Sequence, residues 1–225
     1  GSTDENRYVL NGLYLCFKEN KLTMVATDGR RLALAEEEVE LPGESQMELI
    51  VPTKAIQELS RQLGEEGNVK IQITENQVSF GLEEKQGTGS LIVSKLVEGA
   101  YPNYKQVIPA ESKHRVTLDK EELFHALRRA EIMTSEKANS VKLTFSENNL
   151  TFTANSPEVG ESRETMAIKY GGEETSIAFN PEFFIDPLKA LEEDEVHFEF
   201  TDQLSPGVVK VNHPFLYVIM PMRTS

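Results

Sequence analysis

Two stretches decide the fold: Leu13-Tyr14-Leu15-Cys16-Phe17-Lys18-Glu19-Asn20-Lys21-Leu22-Thr23-Met24-Val25-Ala26, and Val141-Lys142-Leu143-Thr144-Phe145-Ser146-Glu147-Asn148-Asn149-Leu150-Thr151-Phe152-Thr153-Ala154. Leu13, Leu15, Phe17, Leu22, Met24 and Ala26 correspond to Val141, Leu143, Phe145, Leu150, Phe152 and Ala154 at an offset of 128. The polar turns between the apolar runs also coincide, Glu19-Asn20 against Glu147-Asn148. Working outward, Pro52 corresponds to Pro181 at an offset of 129, and Val69, Ile71 and Ile73 to Val196, Phe198 and Phe200 at 127. A repeat of this period is far longer than a solenoid unit and has the size of a domain. The 225 residues therefore divide into two similar domains, expected at 1–112 and 113–225. The polar segment Ala110 to Arg115 is the expected linker.

Apolar alternation reads as strands at Leu13 to Phe17, Leu22 to Ala26, Val69 to Ile73, Val78 to Leu82, Val116 to Leu118, Val141 to Phe145, Leu150 to Ala154, Val196 to Phe200 and Val208 to Val211. Glu75-Asn76 and Glu147-Asn148-Asn149 suit hairpin turns. Helical spacing marks three helices. Lys54 to Leu63 carries Ile56, Leu59 and Leu63 on one face. Asp119 to about Thr134 has Asp119 as cap, Glu122 three residues on, and Leu123, Leu127 and Ala130 on one face. Pro181 to Leu191 has Asn180 as cap and Pro181 at its first position, with Pro187 expected to kink it. Strands and helices segregate, which predicts an α+β fold with antiparallel sheets. The second copy opens on the strand and helix from Val116 to Thr134, and their counterparts would precede residue 1. The first copy is thus expected to lack its opening strand and most of its first helix. Gly1-Ser2 reads as an expression scar on a piece of a longer protein.

Composition excludes several classes. Hydrophobic content of 39% and 27% charged residues are ordinary for a globular protein. No run is long enough for a membrane span, no signal peptide is visible, and a cytoplasmic location is expected. Cys16, the single cysteine, is expected as a buried thiol. A net charge of −14 opposes tight nonspecific binding of nucleic acid, unless the cations are gathered on one face. Gly87-Thr88-Gly89 has no following helix and so is no phosphate loop. His114, His125, His197 and His213 lack metal-ligand spacing, and the carboxylates fall in runs such as Glu36-Glu37-Glu38 and Glu192-Glu193-Asp194, which suit solvated faces. No convergent acid, base and nucleophile set exists, so no catalytic residue, metal or cofactor is expected.

Two segments exceed plain scaffold. Ala26-Thr27-Asp28-Gly29-Arg30-Arg31-Leu32 ends a strand in a turn and leaves two arginines beside an apolar residue. Leu216-Tyr217-Val218-Ile219-Met220-Pro221-Met222-Arg223 runs an apolar strand into Met-Pro-Met, suited to an adaptable apolar surface. Each also has a plain reading, as a solvated turn and as a last core strand.

These segments, with Arg7-Tyr8-Val9-Leu10-Asn11-Gly12 and Ser94-Lys95-Leu96-Val97-Glu98-Gly99 followed by Tyr101-Pro102-Asn103-Tyr104, resemble in order the signature stretches of the bacterial DNA polymerase III beta subunit, the β sliding clamp family. The resemblance covers nearly the whole chain. It implies the DNA-clamp fold, with most of a middle domain and a whole C-terminal domain. It further implies a non-enzymatic processivity factor: a head-to-tail homodimeric ring around duplex DNA, with this fragment alone monomeric. Polymerase, clamp loader and repair proteins would dock a Gln-Leu-x-Leu-Phe-like motif in a groove between the two domains. By position that groove takes Leu10, Thr27, Gly29, Arg30, Arg31, Leu32, Pro102, Gln106, Val107, Asn180, Phe183, Val218, Met220, Pro221, Met222 and Arg223. DNA-facing residues are Arg7, Tyr8, Lys54, Arg128 and Arg129, acting weakly on phosphates. Ile132 and Met133 fit either a subunit interface or a core. Gln106 stands where relatives often carry a basic residue, and the chain ends Arg223-Thr224-Ser225 rather than on an apolar residue. Two other readings stay open: a tandem-domain module for a small ligand, and a piece of an enzyme whose active site lies elsewhere.

Overall fold

A computed structural model describes residues 8–44, 46–83, 89–135, 138–158 and 160–223. The chain separates into two compact units, one running through Asp28 and then Leu34–Asn103, the other Gly29–Ala33 and Tyr104 onward. The division falls earlier than the boundary expected at 112/113, and the short segment Gly29–Ala33 belongs to the second unit.

The first unit contains β1 (Gly12–Lys18), β2 (Lys21–Thr27), most of β3 (Arg31–Glu38), β4 (Met47–Pro52), α1 (Thr53–Gln62), β5 (Val69–Ile73), β6 (Gln77–Leu82) and β7 (Ser90–Lys95). β1 pairs antiparallel with both β2 and β4, and β5, β6 and β7 form a second antiparallel sheet. The second unit contains a 3-10 turn at Tyr104–Val107, β8 (His114–Asp119), α2 (Lys120–Ile132), β9 (Val141–Ser146), β10 (Asn149–Ser156), β11 (Gly160–Ala167), β12 (Thr175–Phe179), α3 (Pro181–Ala190), β13 (Glu195–Phe200), β14 (Gly207–Lys210) and β15 (Phe215–Ile219). Its sheets run in the orders β11-β10-β9-β12 and β15-β14-β13-β8. Strands and helices segregate as expected, with antiparallel pairing throughout the described ladders.

The repeat is one of register as well as sequence. Leu15 sits opposite Met24 as Leu143 sits opposite Phe152. Leu13 faces Val51 as Val141 faces Phe179. A slip of one residue would turn each apolar row to solvent, so burial fixes the same register in both copies. The turns agree at their second residue, where Asn20 and Asn148 have φ of 55° and 53°; Glu19 also takes a positive φ, of 52°, whereas its counterpart Glu147 does not.

Burial is not repeated. The second core is an aromatic stack in which Phe145 lies 4.2 Å from Phe200, and Phe184 lies 5.1 Å from Phe198 and 5.5 Å from Phe179 between ring centroids. α2 covers it with Leu123, Ala126, Leu127 and Ala130, all buried, and α3 adds Phe184, Ile185 and Leu188. The first core gathers Leu15, Phe17, Leu22, Leu49, Val51, Val78 and Phe80, but α1 buries none of its residues. An open recess of about 670 Å³ remains there, lined by Phe17, Leu41, Met47, Val69, Ile71 and Ile73 among others. β8 pairs with β13 in the second unit, whereas β5, the counterpart of β13, pairs only with β6 among the described strands.

Several expectations are corrected. His114 and Arg115 are not linker: they open β8 opposite Phe200 and Glu199. Cys16 is half-buried and sits opposite Thr23 and Glu48 on the neighbouring strands. α3 runs over Pro181–Ala190 with Pro187, itself buried, inside it. α2 ends at Ile132 and keeps the predicted cap, Asp119 accepting from the Glu122 amide at 2.8 Å. β3, β4, β7, β11 and β12 were not among the expected strands. Gly87 and Thr88 lie outside the described residues.

Two predictions follow from this core and its loops. A Cβ on Gly207 would stand 2.5 Å from Phe198 Cζ and 3.0 Å from Phe179 Cζ, inside the aromatic stack. Gly207→Ala should therefore lower stability by about 2 kcal/mol in urea unfolding; an unchanged midpoint would refute the tight approach. Asp202 Oδ1 accepts from the amides of Leu204 and Ser205 and from Ser205 Oγ, each at 2.9 Å. These bonds, the Leu204 amide first, hold its carboxyl below the usual carboxylate range. The sign follows: this stabilisation is present above the unfolded value, about pH 4, and is lost as pH falls through the lower folded value. Acid unfolding of Asp202→Ala should lack that component, and a profile identical in shape to wild type would count against it.

Candidate functional site

The second unit gathers most of the unusual residues at one place. The chain leaves β2 at Asp28, and Gly29 takes φ of 86°, the left-handed backbone that glycine adopts without strain. The following residues run extended. The Arg30 carbonyl accepts from the Met220 amide at 2.9 Å, so the end of β15 is fastened to this segment. Two residues on, the Met222 amide donates to the Ala178 carbonyl at 2.7 Å as an isolated bridge. A tail that would otherwise fray is thus tied at both methionines. Met220 is 37% exposed, Pro221 and Met222 are half-buried, and Arg223 is exposed. Two flexible thioethers on a fixed backbone make an apolar surface that can repack around different shapes.

Arg31 lies against α3. Its Nη1 donates to Asp186 Oδ2 at 2.7 Å, and Tyr217 Oη stands 3.4 Å from the same nitrogen. The guanidinium carbon sits 4.4 Å from the Phe183 ring centroid, a cation–π distance. Asn180, Phe183 and Asp186 follow at steps of three, which places them along one side of the helix. The Asn180 side chain accepts from the Glu182 amide at 3.0 Å, so its oxygen caps α3 and fixes where Phe183 and Asp186 begin.

The expected site residues therefore sort as follows. Arg30 is tied to Met220 and Arg31 lies over Phe183, whereas Asn180 caps the helix that carries Phe183 and Met222 is tied to Ala178. Leu32 and Val218 are 2% and 1% exposed and lie beneath the surface. Gln106 and Val107 stand exposed on the 3-10 turn of the same unit. Leu10 and Thr27, half-buried, and Pro102, exposed, belong to the first unit. Of the DNA-facing set, Arg7 lies outside the described residues, Tyr8 is 73% exposed, and Lys54 is exposed at the start of α1. Arg128 pairs with Glu131 at 3.3 Å, and Arg129 Nε reaches both Glu164 oxygens at 2.8 Å. Such exposed pairs are worth about 0–1 kcal/mol and open readily. Asp186 and Tyr217 were not anticipated; the only signal for Asp186 was its step of three from Phe183.

Among the described residues no cluster of histidine, cysteine and carboxylates could hold a metal ion, and no helix is long and apolar enough to cross a membrane. The arrangement offers a fixed backbone, an adaptable apolar patch and oriented cations, which are means of holding an extended peptide.

The comparisons agree with one another. Residues 1–103 match the family model for the DNA polymerase III beta subunit, central domain, and residues 105–223 that for its C-terminal domain. The chain is 37% identical over 222 residues to a beta sliding clamp of Chlamydia pneumoniae, covering 99% of this chain and 59% of that protein. It superposes with a TM-score of 0.90 and 34% identity on a DNA polymerase sliding clamp of Pseudomonas aeruginosa solved with ligand, covering 97% of this chain and 59% of that one. The sliding clamp of Bacillus subtilis gives 0.89 at 32% identity, covering 100% and 59%. The chain thus spans about three fifths of the length of these relatives. With two successive domain models matched in order, the chain belongs to the DNA polymerase III beta subunit family, the beta sliding clamps.

Proposed function

We propose that this chain works as part of a DNA polymerase processivity factor, and that its second unit holds the short linear motifs of partner proteins. The observation that carries the reading is the doubly tied tail: Met220 to Arg30, and Met222 to Ala178. It holds Met220 and Arg223 exposed and Met222 half-buried on a fixed backbone. A motif of the Gln-Leu-x-Leu-Phe kind supplies two large apolar side chains for the methionine patch and Val107, with polar backbone and flanks for Arg30, Arg31 and Arg223. Replicative polymerase, clamp loader and repair proteins are the proposed bearers of that motif. Few anchors and an exposed rim imply modest affinity. The role is one of binding rather than catalysis.

In the whole protein the proposed assembly is a homodimeric ring around duplex DNA. Ile132, 80% exposed at the end of α2, is the kind of apolar residue that an interface covers. Contacts to DNA would be weak and phosphate-directed, from Tyr8, Lys54, Arg128 and Arg129, with enclosure rather than grip retaining the DNA.

Fluorescence polarisation with a labelled Gln-Leu-Ser-Leu-Phe peptide tests the site. Saturable binding is expected, competed by unlabelled peptide and lost when its Leu and Phe are replaced by Ala. The double variant Met220→Ala with Arg223→Ala should weaken binding by about tenfold, or about 1.4 kcal/mol. Unchanged affinity in a variant that remains folded by circular dichroism would remove the tail from the site.

A further inference from the structure

Resting on that reading of the site, we infer that Asp186 sets which partners it prefers: by holding and neutralising Arg31 against Phe183, it makes the site favour motifs with neutral neighbours over motifs with acidic ones. Three observations carry this. The Asp186 carboxylate is 2.7 Å from Arg31 Nη1, at hydrogen-bonding distance for a charged pair. The pair is not freely solvated on the Arg31 side, whose side chain is 25% exposed against 43% for Asp186. The guanidinium is also laid over the Phe183 ring at 4.4 Å, so its plane and position are set from two sides by one helix.

The consequence is one of charge. The Arg31 guanidinium lies against α3, and the residue before it, Arg30, is bonded through its carbonyl to the Met220 amide. Without Asp186, the Arg31 charge would draw an acidic segment whatever its apolar residues. Asp186 offsets that charge at its source, so selection shifts toward the Leu and Phe anchors. An acidic residue flanking the motif would meet Asp186 as a like charge, and like charges discriminate between partners more than they change total affinity. Holding Arg31 in place beforehand also spares its side-chain entropy on binding, for either kind of peptide. Asp186 is thus a positioning residue. It acts through Arg31.

The test compares two labelled peptides on wild type, Asp186→Asn and Asp186→Glu. One carries Gln-Leu-Ser-Leu-Phe between Ser-Gly flanks, the other between Asp-Glu flanks. At low salt, Asp186→Asn should raise the ratio of acidic-flank to neutral-flank affinity by about threefold, the effect of one unit charge several ångström away in water. The gain should vanish near 1 M salt, where the Debye length is about 3 Å. Asp186→Glu should restore the wild-type ratio. A purely structural Asp186 would weaken both peptides alike and leave the ratio and its salt dependence unmoved, which would overturn the inference. Failure of the folded wild type to bind either peptide would instead overturn the site reading, and this inference with it.

Discussion

The constraint on which everything else rests is the two-residue period of a strand with one buried face. In the second copy the first hairpin buries the row Leu143, Phe145, Leu150, Phe152 and Ala154. In the first it buries Leu15, Phe17 and Leu22 on the matching row, with Tyr14 and Val25 buried on the other, and the matched rows share one register. Leu15 opposite Met24 and Leu143 opposite Phe152 are the same pair made twice. Once that register is set, the third partner strand must place Val51 and Phe179 against Leu13 and Val141. The helix that follows then starts at an equivalent point in each copy, at Thr53 and at Pro181. The site inherits this placement: α3 begins where β12 ends, and so Asn180, Phe183 and Asp186 line up where Arg31 can reach them.

Much of this was legible in the sequence because alternation is a strong signal where one face is dry. The repeat, the first hairpins, β5, β6 and β13 show it, and α2 was legible from its helical spacing and Asp119 cap. The strands that escaped have physical reasons. β11, Gly160–Ala167, is an edge strand with mostly polar residues and one buried apolar side chain, Met166, so it lacks an apolar row. β3 loses alternation in its run of glutamates. β12 is five residues long and buried over its last three, which leaves no contrast to read. β4 likewise buries Leu49, Ile50 and Val51 in succession.

The site was legible to the extent that its residues broke local rules. Arginines beside a tight turn and methionines at a chain end are out of place in a plain scaffold. Their partners were not visible. Asp186 is an ordinary polar residue on an amphipathic helix until the fold lays Arg31 across it. The two bonds that tie the tail are made by backbone amides, which carry no sequence signature at all. Leu32 and Val218, placed in the groove by the resemblance, are almost wholly buried.

The unequal burial of the two copies has a consequence for durability. Local opening costs little where an element hides few apolar side chains, and α1 hides none beyond partial burial. The second unit closes α2 and α3 over an aromatic stack, and the tied tail and the Arg31–Asp186 pair are anchored wholly within it. Amide exchange would therefore spread over a gradient, fast in α1 and slow in the strands beneath Phe198. The backbone plan is duplicated, yet the half that carries the methionine tail is also the half that holds its shape longest.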